Sequence, residues 1–135
     1  MAPVRRRKTI VLVVEDDPHL RQLYRSALTL AGYIVVSVED GVDALRHVEA
    51  DVPGLVVLDL GLPRLSGRDV QRELAAHAET QSIPVIVVSG DPGDINPADF
   101  ACVLRKPIDP QDLLEAVQRC LRRQARKRNR EKRST

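Results

Sequence analysis

The chain has 135 residues, of which 43% are hydrophobic and 30% are charged, and its formal net charge is +2. This length fits one domain with a single core, and no apolar run approaches the ~20 residues that a membrane-spanning helix needs, so membrane insertion is excluded. The two cysteines, Cys102 and Cys120, both lie in apolar patterns, which argues against a disulfide framework and indicates buried thiols in a reducing compartment.

Short apolar runs rich in β-branched residues recur along the chain. They are too short for stable helices and are typical of strands buried on both faces of a parallel sheet. We predict five strands, over residues 10–14, 33–38, 55–59, 84–89 and 102–104. Amphipathic segments separate most of these runs, and this alternation indicates a doubly wound α/β sheet.

Four amphipathic segments predict helices. They begin after Asp17, after Asp40, at Arg68 and after Asp109. The first has Asp17 as its cap and Pro18 at the first helical position, and Gly32 ends it. The third is expected to end at residue 78.

The segment between the fourth and fifth strands is too broken for a regular crossover helix. Only 16 residues separate Ser89 from Lys106, and Pro92 and Pro97 interrupt them. We therefore predict that the fourth crossover helix is short or absent, with at most one or two turns around residues 96–100.

The small net charge conceals an uneven distribution. Residues 9–121 contain nine basic and 18 acidic residues, a difference of −9, whereas the two ends of the chain hold twelve of the 21 basic residues. The charged tail cannot bury enough surface to fold alone, so it is either a solvated extension of the last helix or a linker. We divide the chain into a basic leader at 1–8, a folded domain at 9–123 and a basic tail or linker at 124–135.

Polar residues stand at the carboxyl ends of four predicted strands, where open α/β sheets bind their ligands. They are Glu15, Asp16, Asp59, Ser89 and Lys106. Adjacent acids favour a bound cation, and a carboxylate can act as a nucleophile. Taken singly, the acids also suit a helix N-terminus and the serine suits a turn. Together they predict a site for a divalent metal and a phosphoryl group.

The order of these residues closely resembles the receiver domain of bacterial two-component response regulators. The matching stretches are residues 13–17, 58–63, 88–90 and 106–107, and the resemblance covers residues 9–123. It implies a flavodoxin-like, doubly wound sheet of five parallel strands in the order 2-1-3-4-5.

The resemblance also implies a role for each residue. Asp59 would accept a phosphoryl group from a histidine kinase or phosphotransfer protein, assisted by Ser89 and Lys106. The expected ligands of Mg²⁺ are Glu15, Asp16, Asp59 and the main-chain carbonyl of Gly61. Such a protein catalyses only its own phosphorylation and dephosphorylation, so it is not expected to be an enzyme in the usual sense. It would act in the cytoplasm on a downstream protein target or effector domain.

Two features depart from the family pattern. Many receivers have Tyr or Phe three residues before the lysine, where this chain has Val103. Together with the short fourth helix, this predicts that residues 90–100 respond to the phosphoryl group in place of an aromatic side chain. Asp91 is expected to face the site.

Two other functions stay open. A receiver-like module that binds partners without phosphate would be compatible with Val103. A nucleic-acid-binding protein would use the basic ends and not the acidic core, and its binding would fall steeply with salt without needing Asp59.

Overall fold

A five-stranded parallel sheet forms the centre of the computed structural model, which describes residues 9–62 and 64–134. Its strands are β1 (Ile10–Val14), β2 (Ile34–Val38), β3 (Leu55–Asp59), β4 (Val85–Ser89) and β5 (Cys102–Arg105). They pair in the order β2-β1-β3-β4-β5, which confirms the predicted doubly wound, flavodoxin-like topology. The predicted leader at 1–8, Pro63 and Thr135 lie outside the described residues.

Helices cover both faces of the sheet. They are α1 (Pro18–Leu30), α2 (Gly41–Ala50), α3 (Gly67–Ala76) and α4 (Pro110–Arg133). A polar side chain caps each helix N-terminus by accepting main-chain N–H groups, which those first turns leave without a partner. Gly32, just beyond α1, has a φ of +98°, in the left-handed region that favours glycine.

Helix α3 ends earlier than the predicted residue 78. The Thr80 hydroxyl donates to the main-chain carbonyl of Leu74 at 2.6 Å, and the chain turns there instead of continuing the helix. The sequence pattern missed this because a single threonine does not mark a turn strongly.

Alternate residues of β1, β2, β3 and β4 pack into two separate cores, one on each face of the sheet. Val11 and Val13 of β1 belong to the core beneath α1 and α4. Leu12 and Val14 belong to the core beneath α2 and α3. Because both faces of β1 are buried, this strand reads as a continuous apolar run in the sequence.

No regular helix joins β4 to β5 in the described chain, as predicted. Two 3₁₀ turns, Pro92–Asp94 and Pro97–Asp99, take its place, and the first lies outside the predicted 96–100 range. Ile95 is 7% exposed and anchors the segment. The Gln71 side-chain amide of α3 donates to the carbonyl of Asp99 at 2.7 Å, so α3 holds the segment from one side.

Helix α4 runs antiparallel to the strands and continues into the predicted tail without a break as far as Arg133. The Gln124 side-chain amide donates to the carbonyl of Ser82, which precedes β4, at 2.8 Å. Residues 125–133 are all exposed and extend beyond the amino ends of the strands. Asp59 lies at the opposite edge of the sheet, where the strands end. None of the described helices has the length and apolar character needed to cross a membrane.

Candidate functional site

Three strand ends bring a cation and two carboxylates into direct contact. Lys106, which follows β5, donates from Nζ to Glu15 Oε1 at 2.8 Å and to Asp59 Oδ2 at 3.2 Å. Glu15 is 1% exposed and Asp59 is 6% exposed. Asp16 is exposed, yet carboxylate oxygens of Glu15, Asp16 and Asp59 all lie within 4.8 Å of one another. Four of the residues singled out from the sequence therefore form one cluster.

Both carboxylate oxygens of Asp59 are hydrogen-bonded. Oδ1 accepts the main-chain N–H of Gly61 at 3.0 Å, and Oδ2 accepts from Lys106. These two bonds fix the orientation of the carboxylate at the end of β3. Gly61 thus lies beside the cluster, and its carbonyl stays a predicted metal ligand.

The proton balance of the cluster follows from burial and from these contacts. Burial, followed by hydrogen bonding with Asp59, raises the pKa of Glu15 to about 7. Burial also acts to raise the pKa of Asp59, but hydrogen bonds with Glu15, Gly61 and Lys106 outweigh it and hold that pKa below its usual value. Desolvation opposes the charge on Lys106, but its contacts with Glu15 and Asp59 outweigh that effect and raise its pKa. Near neutral pH, Asp59 is ionised and Lys106 is charged.

The donor set fits a hard divalent cation. Mg²⁺ takes oxygen ligands, and three carboxylates converge here against a single lysine. A divalent ion would offset the burial and the neighbouring charge of Asp59, both of which otherwise raise the pKa of Glu15. The acidic cluster is therefore compatible with Mg²⁺ binding.

Ser89 lies at the end of β4 but takes no part in the hydrogen bonds of this cluster among the described residues. Its hydroxyl oxygen accepts the main-chain N–H of Asp91 at 3.1 Å. Its carbonyl accepts the main-chain N–H of Lys106 at 2.9 Å, which holds the ends of β4 and β5 together. Asp91 itself accepts the N–H of Gly93 at 3.4 Å within the first 3₁₀ turn. Ser89 thus joins the site edge to the irregular segment.

Two positioning residues were missed from the sequence. A Cβ on Gly67 would lie 2.5 Å from the carbonyl oxygen of Asp59, so only glycine lets α3 pack this closely against the end of β3. Arg21 Nη1 donates to the carbonyls of Glu15 and Asp16 at 3.1 and 3.4 Å and so holds the loop that carries the acid pair. Each residue left a signal in the sequence. Gly67 is a poor helix former at the start of α3, and Arg21 is a basic residue in the first turn of α1, where acidic residues are favoured and none is present.

Comparison with known proteins gives a consistent family. Residues 11–118 match the family described as response regulator receiver domain. The C4-dicarboxylate transport transcriptional regulatory protein DctD of Pseudomonas aeruginosa is 37% identical over 120 residues, covering 84% of this chain and 25% of that protein. The chain spans about half the length of other curated relatives, such as the response regulator MprA of Mycobacterium ulcerans.

Solved structures agree with the fold. The signal receiver domain of a LuxO repressor protein from Vibrio parahaemolyticus has a TM-score of 0.80 and 30% identity, covering 92% of this chain and 98% of that one. The receiver domain of a sensor histidine kinase from Pseudomonas aeruginosa has a TM-score of 0.77 and 26% identity, covering 85% and 98%, and has a magnesium ion coordinated in its active site cleft.

Proposed function

Because the chain belongs to the response regulator receiver family of two-component signalling, we propose that it is a Mg²⁺-dependent phosphoacceptor switch. Asp59 accepts a phosphoryl group from a histidine kinase or a phosphotransfer protein. The observation that carries this proposal is the buried Asp59 carboxylate, held by Lys106 on one oxygen and by the Gly61 N–H on the other.

The reaction would be an in-line displacement at phosphorus. An oxygen of Asp59 forms the new bond, the bond between phosphorus and the donor imidazole nitrogen breaks, and that nitrogen takes a proton from solvent. Lys106 already contacts Asp59, so its charge offsets that of the incoming group. Mg²⁺, held by Glu15, Asp16, Asp59 and the Gly61 carbonyl, would supply further charge neutralisation. The protein would thus catalyse only its own phosphorylation and dephosphorylation.

Intact-mass analysis with acetyl phosphate tests this proposal. We expect the wild-type protein to gain one phosphoryl group in the presence of Mg²⁺ and none in excess chelator. Failure to gain a group in either condition would contradict phosphoacceptance, and an equal gain in both would contradict the role of the metal.

Replacing Asp16 should weaken Mg²⁺ binding without disturbing the fold, because its side chain is exposed and Asn keeps its shape. We expect Asp16→Asn to lower the affinity about tenfold or more, since losing one carboxylate removes a charged oxygen ligand. Isothermal titration with Mg²⁺ measures this. Asp51→Asn, at an exposed position that ends α2, is the matched control and should bind Mg²⁺ with the wild-type affinity. Equal affinity in all three proteins would place the metal elsewhere.

The contact between Ser89 and Asp91 suggests how the phosphoryl group is sensed. To donate to a phosphoryl oxygen on Asp59, the Ser89 side chain would change rotamer, which would move its oxygen away from the Asp91 N–H that it now accepts at 3.1 Å. Breaking that bond would release the first 3₁₀ turn from β4. Phosphorylation would then favour a second arrangement of residues 90–100, with no aromatic side chain required at Val103.

Hydrogen exchange with and without beryllofluoride, a phosphoryl mimic, measures this response. We expect the largest change in protection at residues 90–100, where short turns and few buried side chains give low local stability. Asp59→Asn should remove the change. A response confined to α4, with residues 90–100 silent, would contradict this mechanism.

The proposal includes a cytoplasmic location and a downstream protein target or effector domain. The two free cysteines and the transcriptional regulators among the relatives support it. The second candidate is a receiver-like module that works without phosphate. Val103, in place of the aromatic residue, favours it, and it predicts partner binding that is unchanged by acetyl phosphate.

A further inference from the structure

One side of α4 bears a continuous row of basic side chains. At 3.6 residues per turn, seven of them fall within an arc of roughly 140°. This basic stripe consists of Arg119, Arg122, Arg123, Arg126, Lys127, Arg130 and Arg133, all exposed. Among the described residues, no carboxylate lies within ion-pair distance of these seven side chains. The stripe is therefore a concentrated positive surface without internal compensation.

The stripe points away from the acidic site. The contact of Gln124 with Ser82 places the middle of the stripe at the edge of the sheet where β4 begins. Asp59 and its acidic neighbours lie at the opposite edge. An anionic ligand at the projecting end of α4 would thus lie at the opposite end of the strands from these three carboxylates.

We propose that the basic stripe binds the phosphate backbone of nucleic acid. Its seven charges extend along about 21 Å of the α4 axis, roughly one per 3.5 Å, and each strand of B-DNA carries one phosphate per about 3.4 Å of the duplex axis. Six of the seven are arginines, whose planar guanidinium groups pair with phosphate oxygens through two hydrogen bonds.

The composition of the projecting helix favours nucleic acid over a membrane surface. A helix that lies on a membrane needs an apolar face beside its basic one. Beyond Leu121, Ala125 is the only apolar residue before residue 134. Like charges four residues apart, such as Arg122 with Arg126, also destabilise a helix that is not packed against a core. Phosphates along the stripe would remove that repulsion.

Fluorescence anisotropy with the full chain and short, mixed-sequence nucleic acid tests the proposal. One arm uses duplex DNA and the other single-stranded RNA, which distinguishes the two sources of phosphate. We expect the duplex affinity to fall with salt with a log–log slope between about −4 and −6, as expected for five to seven neutralised phosphates. Asp59→Asn should bind as wild type, so the outcome is independent of phosphoacceptance.

Two triple variants with the same net charge separate the stripe from general electrostatics. The stripe variant is Arg122→Gln, Arg126→Gln, Arg130→Gln, and the control is Arg25→Gln, Arg72→Gln, Arg128→Gln, at exposed positions outside the stripe. We expect the stripe variant to bind at least ten times more weakly at about 0.1 M salt, with a slope reduced by about 3, and the control to change by less than about twofold. Thermal unfolding checks that both remain folded.

Several results would overturn the proposal. Equal losses in the two triple variants would show that net charge alone matters. Binding to poly-glutamate as tight as binding to the nucleic acids would show a general polyanion surface. Binding to phosphatidylserine vesicles with no measurable affinity for either nucleic acid would show a membrane surface instead.

Discussion

Asp59→Asn should gain no phosphoryl group under conditions in which the wild-type protein gains one. Burial acts to raise the pKa of this carboxylate, but hydrogen bonds with Glu15, the Gly61 N–H and Lys106 outweigh it and hold the pKa below its usual value, so Asp59 is a competent nucleophile at neutral pH. An amide oxygen is a poor nucleophile towards phosphorus, and the loss should be complete within detection. Intact-mass analysis with acetyl phosphate and Mg²⁺ measures it directly.

The substitution conserves shape, so loss of labelling should not reflect unfolding. Asp51→Asn, at an exposed aspartate between α2 and the amino end of β3, should label as wild type. Borohydride reduction followed by peptide mapping identifies the labelled residue. Unchanged labelling of Asp59→Asn, or a label mapped to another aspartate, would show that Asp59 is not the acceptor.

Glu15→Gln should remove much of the pH dependence of the metal-free stability. The pKa of Glu15 is about 7 in the folded protein against 4.5 for the free side chain, so the folded state binds this proton more tightly. The stability contributed by protonated Glu15 is therefore full below about pH 4.5 and is lost as the pH rises through about 7. Glutamine resembles the protonated form and should not show this loss.

The expected size follows from the shift itself. One pKa unit corresponds to about 1.4 kcal/mol, so the wild-type free energy of unfolding should fall by an amount on the order of 1–3 kcal/mol between about pH 5 and 8. Urea unfolding in the presence of a chelator measures it. Asp59, whose pKa is lowered, contributes stability that is lost only as the pH falls below its usual value, outside this window.

Glu49→Gln, at an exposed glutamate of α2, is the matched control and should keep the wild-type pH dependence. An unchanged slope in Glu15→Gln would mean that another group takes up the proton. The same experiment with saturating Mg²⁺ should also give a flatter profile, because the cation takes over the compensation of charge that the proton provides.

The sequence predicts features that depend on local pattern, and apart from the end of α3 these match the structure. The apolar runs predict the strands, and the prolines after Ser89 predict that no regular helix connects β4 to β5. Contacts across the fold were not predictable in the same way. The close approach of Gly67 to Asp59 and the contact of Ser89 with Asp91 depend on distances that only the assembled sheet sets.

The conformation of the basic tail was also not predictable from the sequence. Its arginines and lysines are good helix formers, but their mutual repulsion opposes a helix. From sequence alone a solvated helical extension and a linker were both compatible with residues 124–135. In the structure α4 continues through residue 133, and the helix-forming tendency prevails over the repulsion.

Because α4 extends from one edge of the sheet to beyond the other, a small tilt near the site would displace its far end. Its first turn follows Lys106 by only a few residues, while its last turn lies beyond the opposite edge. The helix is about 36 Å long, so a tilt of about 5° about its N-terminus would displace its far end by about 3 Å. The same tilt would move Gln124, about 21 Å from the N-terminus of α4, by about 2 Å. A movement of this size would lengthen or break the hydrogen bond between Gln124 and Ser82, so this bond opposes the tilt.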